Sequence, residues 1–302
     1  MRFFLTGGGG YLGGRLAGHL EQQGHRVSIS SRRPSGAAGG HDITSPGASL
    51  PEGCEAVVHL ASPDQTAAGS NPESFLSVSA ALAWRVCELA VRLDPPPRLL
   101  FVSTVHVYGK SPAGALTELT PPRPHHPYAL GKYLGEEIVR YFARSHGLQA
   151  VCLRLSNVFG APASPAISQW HLLFNDLCRQ AVAAGELNIR TAGQKRNFIT
   201  MTDAVRAIEF LASPAMALPA DGVMNVGSRL SYTVAEAAVL VAERARATLG
   251  REVAIRLPEA PGECAPDFTL SIERLQNAGF EWQGRPESEI DETLAYCARV
   301  FG

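Results

Sequence analysis

The chain has 302 residues, 45% of them hydrophobic, and its 27 lysines and arginines nearly balance 28 aspartates and glutamates to leave a net charge of −1. That balance gives no electrostatic reason to bind nucleic acid or a membrane surface, and the apolar content excludes a disordered chain. The 29 glycines and 21 prolines follow no short period, which excludes a collagen-like design and fits an α/β protein with many tight connections.

In chain order, short apolar runs alternate with helical patterns. Strands are predicted at Phe3 to Thr6, Arg26 to Ser30, Ala56 to Leu60, Leu99 to Ser103 and Ala150 to Leu155, most of them apolar enough to be buried on both faces. Helices are predicted near Tyr11 to Gln23, Phe75 to Leu93 and Tyr128 to Ser145. In the first of these, Leu12, Leu16 and Leu20 form one apolar stripe, and Gly24 follows as a stop signal. Strands separated by crossover helices mean a doubly wound parallel sheet, a Rossmann arrangement.

After Gly160 a loop at Ala161 to Ser168 leads to a helix ending near Gly185, then a strand at Asn197 to Thr200, and Thr233 to Glu236 reads as a capping box opening a helix to about Thr248. The expected division is a nucleotide-binding domain from residues 1–160 and about 197–228, with a smaller, mainly C-terminal substrate-binding domain from 161–196 and about 229–302. Six cysteines (Cys54, Cys87, Cys152, Cys178, Cys264 and Cys297) lack metal-ligand spacing and read as buried thiols, so no metal is expected. The apolar run at Met1 to Thr6 is too short for a signal peptide and no run of about 18 apolar residues follows, so a cytoplasmic protein is expected.

Gly7, Gly10 and Gly13 stand between the first strand and the first helix, in Thr6-Gly7-Gly8-Gly9-Gly10-Tyr11-Leu12-Gly13. Backbone amides at such a helix start can face a pyrophosphate, and glycine lets the phosphates approach closely. Gly7, Gly10, Tyr11, Leu12 and Gly13 are therefore candidate dinucleotide-binding residues. The second strand ends in Ser31-Arg32-Arg33 where NAD enzymes carry an acid for the ribose 2′-hydroxyl. A guanidinium pairs with a 2′-phosphate and a carboxylate repels it, so NADP is expected over NAD, although NAD remains possible. Asp42 and Ile43, and Leu60, Ala61 and Ser62, are placed to flank the adenine and the pyrophosphate.

Tyr128 and Lys132 stand at i and i+4 on one helix and hence on one face. A phenol titrating near pH 10 needs a neighbouring positive charge to exchange protons at neutral pH, and Lys132 is expected to supply it. Thr104, after Ser103 at the end of the fourth strand, would place a hydroxyl at the carboxyl edge of the sheet, where ligands of open α/β sheets bind.

With these residues in order, the chain resembles the extended short-chain dehydrogenases/reductases, which include nucleotide-sugar epimerases, dehydratases and 4-keto reductases. The family's TGxxGxxG matches Thr6 to Gly13, its hydrophobic-S-S/T-x-x-V-Y-G segment matches Val102 to Gly109, and its YxxxK matches Tyr128 and Lys132. Leu153 to Gly160 is similar to its LRxxNVYG, and Arg196-Asn197-Phe198-Ile199 with Asp203 to its RDFIxVxD. The resemblance implies Tyr128 as general acid/base, with Lys132 tuning it and holding the nicotinamide ribose. Thr104 would polarise the substrate carbonyl, Ser103 would lie at the cofactor, and Asn157 and Arg196 beside a nucleotide diphosphate. His106 is a candidate substrate contact.

Two departures bear on the reaction. Dehydratases of the family carry Asp-Glu after the catalytic threonine, whereas this chain has Val105 and His106. An RPGD-like segment that supplies a second diphosphate arginine in many epimerases reads Ala260-Pro261-Gly262-Glu263 here. The expected activity is NADPH-dependent reduction of a keto group on a nucleotide-linked sugar. A 4-epimerase with tightly held cofactor and a non-catalytic NADP sensor are the alternatives. His125 and His126 read as loop residues. A homodimer is expected through the second and third predicted helices, which carry Ala81, Trp84, Ile138 and Phe142 beyond one apolar stripe.

Overall fold

A computed structural model of the chain describes residues 1–30, 42–63, 65–110, 113–167, 169–258 and 267–302. From the N-terminus, β1 (Arg2–Thr6) leads into α1 (Tyr11–Gln22) and back to β2 (Arg26–Ile29). β3 (Ala56–His59) precedes the short α2 (Gln65–Ser70) and the longer α3 (Pro72–Ala90). β4 (Arg98–Thr104) runs into a 3-10 turn at Val105–Tyr108 and then β5 (Gly114–Leu116). α4 (Pro127–His146), β6 (Ala150–Leu155) and β7 (Asn157–Phe159) follow. Next come α5 (Leu173–Ala183), β8 (Glu186–Asn188), β9 (Lys195–Thr200), α6 (Met201–Ala212) and β10 (Val223–Val226). The chain ends with β11 (Leu230–Thr233), α7 (Val234–Leu249), β12 (Ala254–Arg256), β13 (Phe268–Leu270), α8 (Glu273–Asn277) and α9 (Pro286–Phe301).

Six strands form one parallel sheet in the order β10-β6-β4-β3-β1-β2. The direction of winding reverses at β1, so the carboxyl ends of β1 and β3 open a crevice of the kind that holds ligands in Rossmann folds. Alternation along β1 sends Phe3 and Leu5 to one face, with α1 and α6, and Phe4 to the other, with α3 and α4. Leu16 and Leu20 of the predicted stripe are fully buried and Leu12 is partly buried. Gly24, at φ +79°, follows the last turn of α1 and donates to the Glu21 carbonyl at 3.0 Å.

The sixth sheet strand, β10, has four residues and is absent from the predicted strands. The predicted strand at Asn197 to Thr200 exists as part of β9 but pairs with β7 and β11 in a separate three-stranded sheet, because the chain leaves the main sheet after Leu155. α5, α7 and α9 pack around a third apolar cluster that includes Phe159, Phe174, Phe198 and Leu294. The capping box is present: the Thr233 hydroxyl accepts from Glu236 N, and the Glu236 carboxylate accepts from Thr233 N. The five described cysteines are buried free thiols, and Cys264 lies outside the described residues. Of the residues expected at a dimer face, Trp84 is 47% exposed, Ala81 is exposed and Ile138 is half-buried. Phe142 is instead core, 3% exposed beneath Trp84.

Candidate active site

The glycine loop is set by close approach. Gly7 has φ +73°, and a Cβ there would lie 2.8 Å from Ala61 N. A Cβ on Gly13 would stand 2.2 Å from the Gly7 carbonyl oxygen, which itself accepts from Gly10 N at 3.0 Å. The loop therefore folds tightly onto the start of α1, whose first turn carries no acidic side chain, leaving backbone N–H groups and the positive end of the helix dipole for an anion. Thr6 anchors the strand below: its Oγ1 accepts from Ala61 N at 3.2 Å and lies 2.6 Å from Nδ1 of His59. Leu60, Ala61 and Ser62 are thus brought beside the loop, each half-buried. Tyr11 is turned elsewhere. Its hydroxyl donates to the Gly160 carbonyl at 2.8 Å and accepts from Asn175 Nδ2 at 3.1 Å, tying α1 to α5, so only its backbone is left for a cofactor.

At the adenosine end, Ser31, Arg32 and Arg33 lie outside the described residues. Asp42 Oδ1 accepts from Thr44 N at 2.9 Å and from its hydroxyl at 2.7 Å, closing an Asx turn. The Ile43 side chain is 3% exposed and packed with Phe4 and Val57, which leaves its backbone for the expected adenine contact.

α4 packs against β4 and the 3-10 turn after it. Lys132, 7% exposed, donates from Nζ to the Val102 carbonyl at 3.0 Å, and the same ammonium lies 5.5 Å from the Phe101 ring centroid. Burial lowers its pKa to about 8. Tyr128 stands one turn earlier, with its ring 6.3 Å from that of Phe75. Burial pushes its phenol up to about 12. Desolvation is the cause of that rise, and the lowering of the phenol by Lys132 stands as an expectation for the site with its cofactor bound. Thr104, 6% exposed at the end of β4, accepts at Oγ1 from His106 N at 3.3 Å.

The Ser103 hydroxyl donates to Glu136 Oε1 at 2.5 Å. Glu136 is fully buried and takes three contacts of 2.8–3.2 Å from Arg154, whose guanidinium lies 4.9 Å from the Tyr108 ring centroid. This network beneath the end of β4 is missing from the sequence reading. Its signal was available: Glu136 follows Lys132 by four residues, on the same helix face.

Toward the third apolar cluster, Asn157 Nδ2 donates to the Asn197 carbonyl at 2.8 Å, so its amide nitrogen is occupied in joining β7 to β9. Arg196 on β9 bonds Gln194 Oε1 at 2.7 Å, has no carboxylate partner among the described residues, and is pulled below its ordinary pKa by burial. Burial, with the positive charge of Arg196 and the neighbouring His126 and His125 adding to it, lowers His106 to about 4, so His106 is neutral. His126 is no loop residue: it caps α4, its Nδ1 accepting from Ala129 N at 3.0 Å. His59, fully buried at the end of β3, is held neutral at about 3 by burial and by the charge of Lys132. Two cavities of about 600 Å³ and 620 Å³ lie elsewhere, one under Arg98, Arg140 and Arg144 and one beside Phe280 and Trp282. Among the described residues no helix is long and apolar enough to cross a membrane, and no group of three or more His, Cys, Asp or Glu could hold a metal.

A glycine cradle at the sheet crevice, with Tyr and Lys on the helix packed against the end of β4, defines a Rossmann-fold NAD(P)-dependent enzyme of the extended short-chain dehydrogenase/reductase class. The chain belongs to the NAD dependent epimerase/dehydratase family, whose model matches residues 3–227. It is 29% identical to dTDP-6-deoxy-L-talose 4-dehydrogenase (NAD(P)(+)) of Kitasatospora kifunensis, over 97% of this chain and 88% of that one. Among solved structures it is similar to RMD from Pseudomonas aeruginosa complexed with NADPH, with a TM-score of 0.81, 21% identity and 99% of each chain covered. It is also similar to UDP-glucose 4-epimerase of Thermus thermophilus complexed with NAD, with a TM-score of 0.74, 23% identity and 98% and 99% of the chains covered. At these identities the structural likenesses show the fold.

Proposed function

We propose that this enzyme reduces a keto group on a nucleotide-linked sugar with NADPH. The observation that carries the reading is the placement of Tyr128, a phenol that stays protonated at neutral pH, on the helix that packs against β4, the strand that ends in Thr104. A phenol in that state is a proton donor, which is what a carbonyl oxygen needs as it becomes an alkoxide. The Thr104 hydroxyl orients and polarises that oxygen, and Lys132 lies below as the ribose-holding ammonium. Gly7, Gly10 and Gly13 admit the pyrophosphate, a fit supported by the tight folding of the loop onto α1, where a Cβ at Gly13 would meet the Gly7 carbonyl oxygen. When bound, the reduced nicotinamide supplies the hydride.

The substrate class is supported by the relative named for a dTDP-sugar and by Arg196, a half-buried guanidinium with no carboxylate partner among the described residues, suited to a diphosphate. Val105 and His106 in place of Asp-Glu argue against dehydration. Residues 161–196 and about 229–302 then form the sugar-nucleotide lobe, and α3 with α4 the face of a homodimer. The cofactor preference rests on Arg32 and Arg33. Replacing both with Ala should weaken NADPH by about 1–3 kcal/mol while leaving NADH nearly unchanged, as read by titration.

The test is to incubate the purified enzyme with NADP⁺ and dTDP-6-deoxy-L-talose, and in reverse with NADPH and the corresponding 4-keto sugar. Net cofactor turnover matched to sugar product supports reduction. Interconversion of sugars with no net cofactor change would show an epimerase, and NADPH binding without turnover on a panel of keto sugar nucleotides would favour a sensor.

A further inference from the structure

His126 occupies the N-cap of α4 with extended backbone, φ −143° and ψ 157°. Ser, Thr, Asp and Asn are the usual residues there, since their oxygens accept from the first free N–H groups. A histidine can do the same only through an unprotonated ring nitrogen, and here Nδ1 accepts from Ala129 N at 3.0 Å. A cationic ring would oppose one N–H to another. The imidazole is therefore neutral with its proton on Nε2, and among the described residues nothing hydrogen-bonds that nitrogen.

The surroundings of this ring are those of the reaction site. It stacks on Tyr128 with centroids 6.0 Å apart and planes at 24°, and meets His106 at 5.7 Å and 58°. His106 in turn feels the charge of Arg196. The His126 ring thus lies beside the phenol suited to the carbonyl and beside His106, which feels the arginine suited to a diphosphate.

We propose that His126 is a substrate-contacting specificity residue whose Nε2–H donates to a sugar oxygen next to the carbon being reduced. The assignment rests on the reading of this site as one for a nucleotide sugar. It makes the cap and the contact one device: the hydrogen bond on Nδ1 fixes the tautomer, and the tautomer fixes Nε2 as donor. A site built around a donor discriminates against an analogue lacking the acceptor.

Two variants separate contact from cap. His126→Asn keeps an oxygen for Ala129 N and loses the ring donor, whereas His126→Ala loses both. The Asn variant should keep the parent melting temperature and NADPH affinity while KM for the keto sugar nucleotide rises about 3- to 10-fold and kcat falls by less than that. The Ala variant should show the same rise in KM and a lower melting temperature. Parent-like KM in His126→Asn, with only a stability loss in His126→Ala, would reduce His126 to a cap and overturn the proposal. Nitrogen NMR of isotope-labelled histidine gives a readout independent of turnover: dTDP-glucose should shift the His126 Nε2 signal and dTDP alone should not. Binding of dTDP-glucose that leaves that signal in place also overturns it. If neither compound nor UDP-glucose binds, the nucleotide-sugar reading itself fails and the assignment goes with it.

Discussion

Lys132 carries a stability cost that its replacement should remove. The ammonium is 7% exposed, has no carboxylate partner among the described residues, and is held by one hydrogen bond to the Val102 carbonyl and by the face of Phe101. A fall from 10.5 to about 8 represents about 3 kcal/mol against folding while the group is charged. Lys132→Met keeps the chain length, removes the charge and leaves the Val102 carbonyl without its donor, a loss of about 1 kcal/mol, so a net gain of about 2 kcal/mol is expected near neutral pH. Below pH 8 the ammonium is charged in both states and its cost is complete. Between 8 and 10.5 the unfolded chain still binds the proton and the folded one has released it, so the parent gains stability as pH rises. Urea unfolding of both proteins near pH 7 and near pH 9.5 should show the gap shrinking by about 2 kcal/mol. Thiols such as Cys54 and Cys87, both pushed to about 12, titrate alike in the two proteins and cancel in the difference. A variant less stable than the parent near pH 7, or a gap that ignores pH, would refute the reasoning. The stabilised variant should have no turnover.

Tyr128→Phe keeps the ring beside Phe75 and removes the proton, so NADPH should still bind while turnover falls by roughly 10²–10⁴-fold; near-normal activity would point to another acid. Gly13→Ala sets a methyl 2.2 Å from the Gly7 carbonyl oxygen, and titration should find cofactor binding lost in a protein whose circular dichroism is unchanged. Trp84 stacks on Tyr141 at 5.8 Å, with both residues more than 40% exposed, and covers Phe142, so Trp84→Glu should lower the monomer's stability by about 1–2 kcal/mol and abolish the dimer in sedimentation. A parent protein that sediments as monomer at micromolar concentration removes that face as an interface.

The sequence by itself determined the parallel sheet and the cofactor loop, because both are written in local order. Apolar runs that can be strands only when buried on both faces, and glycines placed between a strand and a helix, carry their meaning within a few residues. Tyr128 and Lys132 were legible for the same reason, being one helical turn apart. What the tertiary structure decided is which polar atoms remain available. Ser103 faces Glu136 across 33 residues of chain and Tyr11 faces Gly160 across 149, so each hydroxyl spends its proton within the protein despite lying in a cofactor motif. The burial of Tyr128 was also set at a distance, by surrounding elements that raise its phenol. His126 left no local signal, since histidine is an uncommon cap, and only the fold shows its ring between His106 and Tyr128. β9 reads as a strand from its composition, but its sheet was chosen by the path of the chain after Leu155, because pairing partners are set by long-range packing and not by propensity.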